Sequence, residues 1–478
     1  MWTSCPAIAN RVAVLAGLLV LCGLSPTVSR AARLSPREGY NLVADLMDSD
    51  AKIRRQAAAR LTEARDETLV PALVDAIFFT PGQSRRELLE VLQVLTGENH
   101  GSRYLDWVEY VGSRTDLEPK ERYAEWKQKL LSRIDPEFAK VFYPGAPNRI
   151  RLEEIVWGGV KLDGIPSLEH PAHVSADQAD FMRDDELVFG VSLDGEQRAY
   201  PRRILSWHEM LNDTVGDEPV TLTYCTLCGS AILYSTRTPA GGGRSFGTSG
   251  LLYRSNKLMY DRTSYSLWSN LTGEPVVGRL AASPIRLEVL PMTLTTWGEW
   301  RSRHPGTGVL DLKAIKREYG RRFGFDYRAG AADRARRGVS FPVWLASDRL
   351  ARDTEIYALR LAGAAKAYPV EVVLRSGVIN DTLAGEPIVL VADPSSGAVR
   401  AYRRGAFYFR RSADPRTLVD DKSRRWLVEE LSLRPADLLP AIDPLERLPG
   451  HQAFWFGWHA FFPQTEVYAE SPPEDAVN

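Results

Sequence analysis

The sequence predicts an α+β protein: an N-terminal helical domain followed by two tandem copies of a β-rich mixed domain. Three observations predict it. Helical periodicity ends near residue 143, a Pro/Gly-rich junction 143–147 (YPGAP) follows, and the remainder repeats itself in constant register. At 478 residues the chain exceeds one core and fits two or three domains.

The helical domain is expected over 33–143. Residues 50–63 (DAKIRRQAAARLTE) and 68–79 (TLVPALVDAIFF) read as two helices around a polar turn, similar to one HEAT-type hairpin. Residues 84–96 follow, with Gly97 placed to end that helix, and Tyr123, Trp126, Leu130 and Ile134 recur on one helical face. Beyond the junction, short apolar runs and turns predict strands. Ala199-Tyr200-Pro201 returns as Ala367-Tyr368-Pro369, Asn212-Asp213-Thr214 as Asn380-Asp381-Thr382, and Glu218-Pro219 as Glu386-Pro387, all at a shift of 168. Trp268 then pairs with Trp426, Leu290-Pro291 with Leu448-Pro449, Trp297 with Trp455 and Trp300 with Trp458, at a shift of 158. Two constant registers over long blocks imply duplication, with copies at 144–310 and 351–470, a basic linker at 311–350 and a tail at 471–478. Asn-Asp-Thr reads as a turn ending a helix, because Asn and Asp bond their own backbone. The aromatic run 454–462 reads as packing.

Composition narrows the function. Hydrophobic residues make up 44% and charged residues 25%, which is globular, and 60 basic against 61 acidic residues leave no field for nucleic acid. The basic run Lys313–Arg337 lacks interleaved aromatics and reads as solvated linker. Arg11 precedes the apolar run Val12–Leu24, too short for a comfortable membrane span, and Ser29 with Ala31 suits a cleavage site. A signal peptide over 1–32 and a periplasmic or extracellular protein are therefore expected, with an uncleaved membrane anchor as the alternative. Cys22 would suit a lipoprotein, but Leu21 stands where a small residue belongs. No later stretch is apolar enough to span a bilayer.

Four cysteines occur, and removing the signal leaves Cys225 and Cys228. In the 168 register Cys225 becomes Asp393, Cys228 becomes Ser396, His208 becomes Ser376 and Glu209 becomes Gly377, while Gly229 persists as Gly397. Both thiols and one imidazole are thus lost together from a retained frame. The first copy is also ten residues longer, a surplus assigned to the Gly/Ser-rich stretch Phe246–Asn256 (168 minus 158). Three readings of Cys225-Thr226-Leu227-Cys228 stay open. Two thiolates with His208 could hold copper or zinc. A redox dithiol is the second, although no helix N-terminus is expected at Cys225 to lower its pKa. A structural disulfide is the third; closing so short a loop stabilises by only about 2 kcal/mol. Tyr224, Glu209, Ser249, Asn256, Asp261 and Arg262 are candidate pocket-lining residues, and His170 with His173 has metal-like spacing in a loop. No nucleotide loop, HExxH or Gly-x-Ser-x-Gly element appears in a fitting context.

Residues 199–201, 207–209, 212–214, Thr223–Ala231 (TYCTLCGSA), Phe246–Asn256, Met259–Arg262, 267–269 and 272–274, with the closing Phe454–Trp458, resemble a bacterial and archaeal family known as domain of unknown function 3179. The resemblance covers about 145–470 and excludes the helical region. It implies an exported protein with a cysteine pair and carries no activity. The expectation is therefore a thiolate site for metal or thiol redox, against an envelope scaffold that docks a protein partner through its helices.

Overall fold

The computed structural model describes residues 34–312, 315, 342–437 and 442–469. The expected signal peptide, most of the basic linker and the whole of the tail lie outside the described residues. The protein is α+β, helical first and then built of sheets.

Helices α1 (Pro36–Asp45), α2 (Ala51–Ala64), α3 (Val70–Phe79), α4 (Gly82–Thr96), α5 (Tyr104–Ser113) and α6 (Tyr123–Leu131) make up the first region. Ser35 and Asp50 cap α1 and α2 through their side chains, and Gly97 ends α4 at φ 71°. The expected α2–α3 hairpin is not the principal packing. A single 3-10 turn at Glu67–Leu69 redirects the chain, so α2 packs on α1 and α4, and α3 on α4 and α5. The helices share one apolar core with the sheet that follows, joining Leu73, Trp107 and Phe138 to Ile155, Leu251 and Leu258. A buried ion pair, Lys127 Nζ to Asp75 Oδ1 at 2.7 Å, sits at that junction, with Nζ also on Ile155 O.

The first β region contains β1 (Ile155–Trp157), β2 (Leu168–Glu169), β3 (His173–Ser175), β4 (Leu187–Leu193), β5 (Glu196–Pro201), α7 (Arg202–His208), β6 (Met210–Val215), β7 (Glu218–Cys225), β8 (Ser230–Ser235), β9 (Phe246–Tyr253), β10 (Asn256–Asp261), β11 (Leu267–Ser269), β12 (Pro275–Val277), β13 (Val289–Leu290), β14 (Thr293–Thr296), α8 (Trp297–Arg303) and β15 (Gly308–Leu310). The second contains β16 (Glu355–Leu361), β17 (Ala364–Pro369), α9 (Val370–Ser376), β18 (Val378–Leu383), β19 (Glu386–Asp393), β20 (Ala398–Arg403), β21 (Phe409–Arg411), β22 (Thr417–Asp420), β23 (Arg425–Val428), β24 (Ser432–Pro435), β25 (Leu445–Leu448), β26 (His451–Phe454), α10 (Trp455–His459) and β27 (Glu466–Val467).

The first region forms sheets β1-β9-β10-β11-β12, β13-β8-β7-β6-β2 and β14-β4-β5-β15-β3; the second forms β26-β16-β17-β27 and one eight-stranded sheet, β18-β19-β20-β25-β24-β23-β22-β21. Their ladders correspond pair by pair. Val188↔Pro201 has its counterpart in Ile356↔Pro369, Met210↔Thr223 in Val378↔Val391, and Cys225↔Ser230 in Asp393↔Ala398, each at the 168 offset. Thr293↔Gly190 corresponds to His451↔Ala358, and the parallel pair Gly308↔Arg198 to Glu466↔Lys366. Across the regions, β26 contacts β8 and β14 contacts β20, so each closing strand lies against the other region's hairpin.

The Asn-Asp-Thr segments are not turns; they lie inside β6 and β18. Asp213 and Asp381 do accept from the next backbone N–H, of Thr214 and Thr382, but the other bonds of these side chains reach distant residues. Asn212 binds both Phe246 N (3.0 Å) and Phe246 O (2.7 Å), and Asp213 accepts from Tyr200 Oη at 2.9 Å. Asn380 does the same with Phe409, and Asp381 with Tyr368. The helix ends earlier, at Glu209 in the left-handed region (φ 56°). These anchors also redistribute the ten extra residues. Phe246 matches Phe409 (offset 163), and Asp261, which accepts from Trp268 Nε1, matches Asp420, which accepts from Trp426 Nε1 (offset 159). Five extra residues therefore lie before β9, four in the β9–β10 hairpin and one before Trp268, rather than all within Phe246–Asn256.

Candidate functional site: a buried thiol pair under a hairpin turn

Strands β7 and β8 form a hairpin whose last pair is Cys225↔Ser230, and Thr226–Gly229 make its turn, with Gly229 at φ 62°. Both cysteines are free and buried, with Sγ atoms 3.0 Å apart. A second hairpin closes over them. Arg254 (φ 48°) and Ser255 (φ 59°) are both left-handed, as a two-residue turn between twisted strands requires, and Tyr253 pairs with Asn256 across it.

That turn brings two adjacent side chains to the thiols. Asn256 Nδ2 donates to Cys228 Sγ at 2.9 Å and to Ser230 Oγ at 3.1 Å; Asn270 Nδ2 reaches the same hydroxyl at 3.3 Å. Lys257 is buried; its ammonium donates to Glu209 O and stands 3.9 Å from Glu209 Oε2. Glu209 Oε1 accepts from Thr226 Oγ1 at 3.1 Å, tying the carboxylate to the cysteine turn.

The two thiols are unequal. Burial acts to raise the Cys225 pKa, but the Cys228 thiol and the backbone N–H groups of Cys228 and Lys257 outweigh it and hold Cys225 below its ordinary value. Burial pushes Cys228 well up, reinforced by its hydrogen bond to Cys225 and by that sulfur's charge. Burial also lowers Lys257, opposed by Glu209 and both sulfurs. The arrangement favours a thiolate at Cys225, a thiol at Cys228 and a buried cation beside them.

The second β region supplies the lid. Phe454 N donates to Cys228 O at 2.8 Å, and Phe456 packs on both cysteines. A Cβ on Gly457 would fall 2.4 Å from Cys228 Cβ, so α10 can approach this closely only with glycine there. Gly457→Ala is expected to lower stability by about 1–3 kcal/mol through overpacking, read from the urea unfolding midpoint at unchanged slope.

Of the residues singled out from sequence, Cys225, Cys228, Glu209 and Asn256 come together. Tyr224 adjoins them in β7, stacked edge-on against Phe189. His208 is buried at the end of α7 with Nδ1 2.8 Å from Pro166 O. Ser249 Oγ is taken by Leu258 O and Leu251 N inside the hairpin. Asp261 caps the Thr263–Ser264 turn and holds Trp268. Arg262 pairs with Asp163 at 2.5 Å, beside Glu169. His173 is half-buried near Asp213, and its pKa is pushed down to about 4 by desolvation and Arg198. Among the described residues, no group of three or more His, Cys, Asp or Glu forms a set that could hold a metal ion. Likewise, no helix among them is long and apolar enough to cross a membrane.

Sequence reasoning missed Lys257, Ser230, Asn270 and the α10 lid. Lys257 did leave a signal, as a cation directly preceding the apolar run Leu258–Tyr260 of that strand. Ser230 was recoverable too, since its counterpart at offset 168 is Ala398.

No curated protein and no solved structure matches the chain. A family model, described as protein of unknown function (DUF3179), matches residues 162–465, most of both β regions and the whole cysteine site, and the chain belongs to that family.

Proposed function

We propose that the protein works through Cys225 and Cys228 as a two-electron thiol–disulfide couple, carried on the first of two duplicated β domains and held in an exported protein. The observation that carries the reading is the unequal pair: sulfurs 3.0 Å apart, one favoured as thiolate, with a buried ammonium alongside. The chemistry closes with a low-molecular-weight disulfide as oxidant. Cys225 thiolate attacks one sulfur of that molecule, forming a mixed disulfide and expelling the first thiolate. Cys228 then gives up its proton and attacks Cys225, expelling the second. The protein loses two electrons and the co-reactant gains them as two thiols.

Duplication is supported by the matching ladders, and export by the apolar run after Arg11. A metal reading, with copper or zinc on the two sulfurs, is less well supported. Two thiolates on one tetrahedral zinc stand roughly 3.8 Å apart at Zn–S distances of about 2.3 Å, wider than the pair here. The envelope-scaffold reading treats the pair as structural and the helical region as a docking surface.

The experiment treats the purified chain with bis(2-hydroxyethyl) disulfide and maps thiols by peptide digestion. The expected product is an internal Cys225–Cys228 disulfide. Cys228→Ser should stop at the mixed disulfide on Cys225, and Cys225→Ser should form neither species. Retention of one copper(I) or zinc per chain that shields both thiols would replace this reading with the metal one. Thiols inert to the disulfide and to metal alike would leave the scaffold reading.

A further inference from the structure

Four residues fewer in the second hairpin leave open a space that is occupied at the matching place in the first region. In the first region the β9–β10 turn lays Asn256 and Lys257 over Glu209 and the cysteines. In the second, the β21–β22 tip turns away, and Arg416 Nη2 reaches Ser302 Oγ at 2.5 Å instead. What remains is a cavity of about 250 Å³, walled by Val378, Val391, Pro415 and Leu418 and lined by Asp393 and Arg411. Asp393 occupies the position of Cys225, and Arg411 lies over Gly377, the position of Glu209.

The two charges in this cavity are not matched to each other. Arg411 makes no ion pair or side-chain hydrogen bond among the described residues, and its stem is pressed so closely on Gly377 that a Cβ there would fall 2.5 Å from Arg411 Cδ. Asp393 is buried and takes Ser395 N (2.9 Å) and Ser395 Oγ (2.6 Å) on Oδ1, and Ser396 Oγ (2.9 Å) on Oδ2. A carboxylate has about four acceptor positions, so Oδ2 keeps one free. Burial acts to raise the Asp393 pKa, but Ser395 and Ser396 with the nearby Arg303 hold it below the ordinary value, so the group is anionic at neutral pH.

We propose that this cavity is a binding site for a small zwitterion of the amino-acid class, carboxylate on Arg411, ammonium on Asp393 and an aliphatic side chain against the apolar wall. A simple anion would face Asp393 and a simple cation would face Arg411; a ligand carrying both charges satisfies the pair. The volume lies just below the roughly 300–1,000 Å³ of sites for drug-sized ligands, which suits so small a molecule. This site is separate from the thiol pair and does not depend on its chemistry.

Calorimetric titration of the full chain with L-valine tests the assignment, with isobutyrate and isobutylamine as single-charge probes. Saturable binding of valine is expected, with both probes weaker by about tenfold or more. Arg411→Met and Asp393→Asn should each weaken valine by a similar factor. Because Arg411 is exposed, its variant decides the matter if Asp393→Asn fails to fold. Absence of saturable valine binding at millimolar concentration overturns the site, as does binding unchanged by Arg411→Met. Isobutyrate bound as tightly as valine overturns the zwitterion. Alkylation of Cys225 is read separately, so loss of the thiol chemistry and loss of this site are distinguishable.

Discussion

Replacing Lys257 with methionine is expected to slow iodoacetamide alkylation of Cys225 at neutral pH by about tenfold or more, with the midpoint of the pH–rate profile moving upward by about one unit or more. The reacting species is the thiolate, and the native site holds the Cys225 pKa below its ordinary value, so its rate levels off early as pH rises. Methionine fills a similar volume but removes the buried ammonium, while the Glu209 carboxylate that repels a Cys225 charge stays in place. Losing the ammonium while that carboxylate remains disfavours the thiolate, so the profile moves up. Lys257→Arg, which keeps the charge, should recover much of the rate. A Lys257→Met profile that overlays the native one would mean that the cation only fills space.

Arg400→Met is expected to destabilise the protein by about 3–5 kcal/mol at neutral pH, the cost of removing the principal partner of a buried carboxylate. Arg400 is 2% exposed and holds Glu430 through Nη2 at 2.7 Å and Nε at 3.1 Å, with Glu299 3.5 Å away and Arg447 on the far side of Glu430. Burial acts to raise the Glu430 pKa, but Arg400, His304 and Arg447 hold it well below the usual range. A carboxylate lowered in the fold contributes stability above its unfolded value of about 4.3, and that contribution is lost as pH falls through the folded value. The gap between native and variant should therefore be widest at neutral pH and narrow below about pH 4. Arg400→Met with Glu430→Gln should recover most of the loss, as measured by urea unfolding across pH. A gap of equal size at all pH values would assign the loss to packing.

Much of this architecture was legible because strand pairing is a register phenomenon. A constant offset in sequence becomes a constant offset in ladders, so matching tripeptides 168 residues apart located strands that pair in the same register. Helix ends were legible where a cap exists, as at Asp50 and Gly97. Asn212 was misread because its local preference for turns lost to two long-range bonds with Phe246, which no neighbouring residue announces. The site was half legible for a similar reason. The absence of both cysteines from the matching positions 393 and 396 pointed to the pair, and Asn256 came with the longer hairpin. Gly457 could not be read, because its constraint is the Cys228 side chain across a tertiary contact. The extra residues were misplaced because one total length difference does not say which loops contain it.

The lid has a consequence for the order of events at synthesis. Cys228 is sealed by Phe454 and Gly457, more than two hundred residues further along the chain. At typical elongation of about 5–20 residues per second, the β7–β8 hairpin waits on the order of ten seconds or more for that segment to exist. Throughout that interval both thiols lack their final cover and react with oxidants faster than they do in the finished protein. The oxidation state in which the pair is first enclosed is thus set by the surroundings of the nascent chain, and the same gene expressed in reducing and oxidising compartments should yield chains that differ in that starting state.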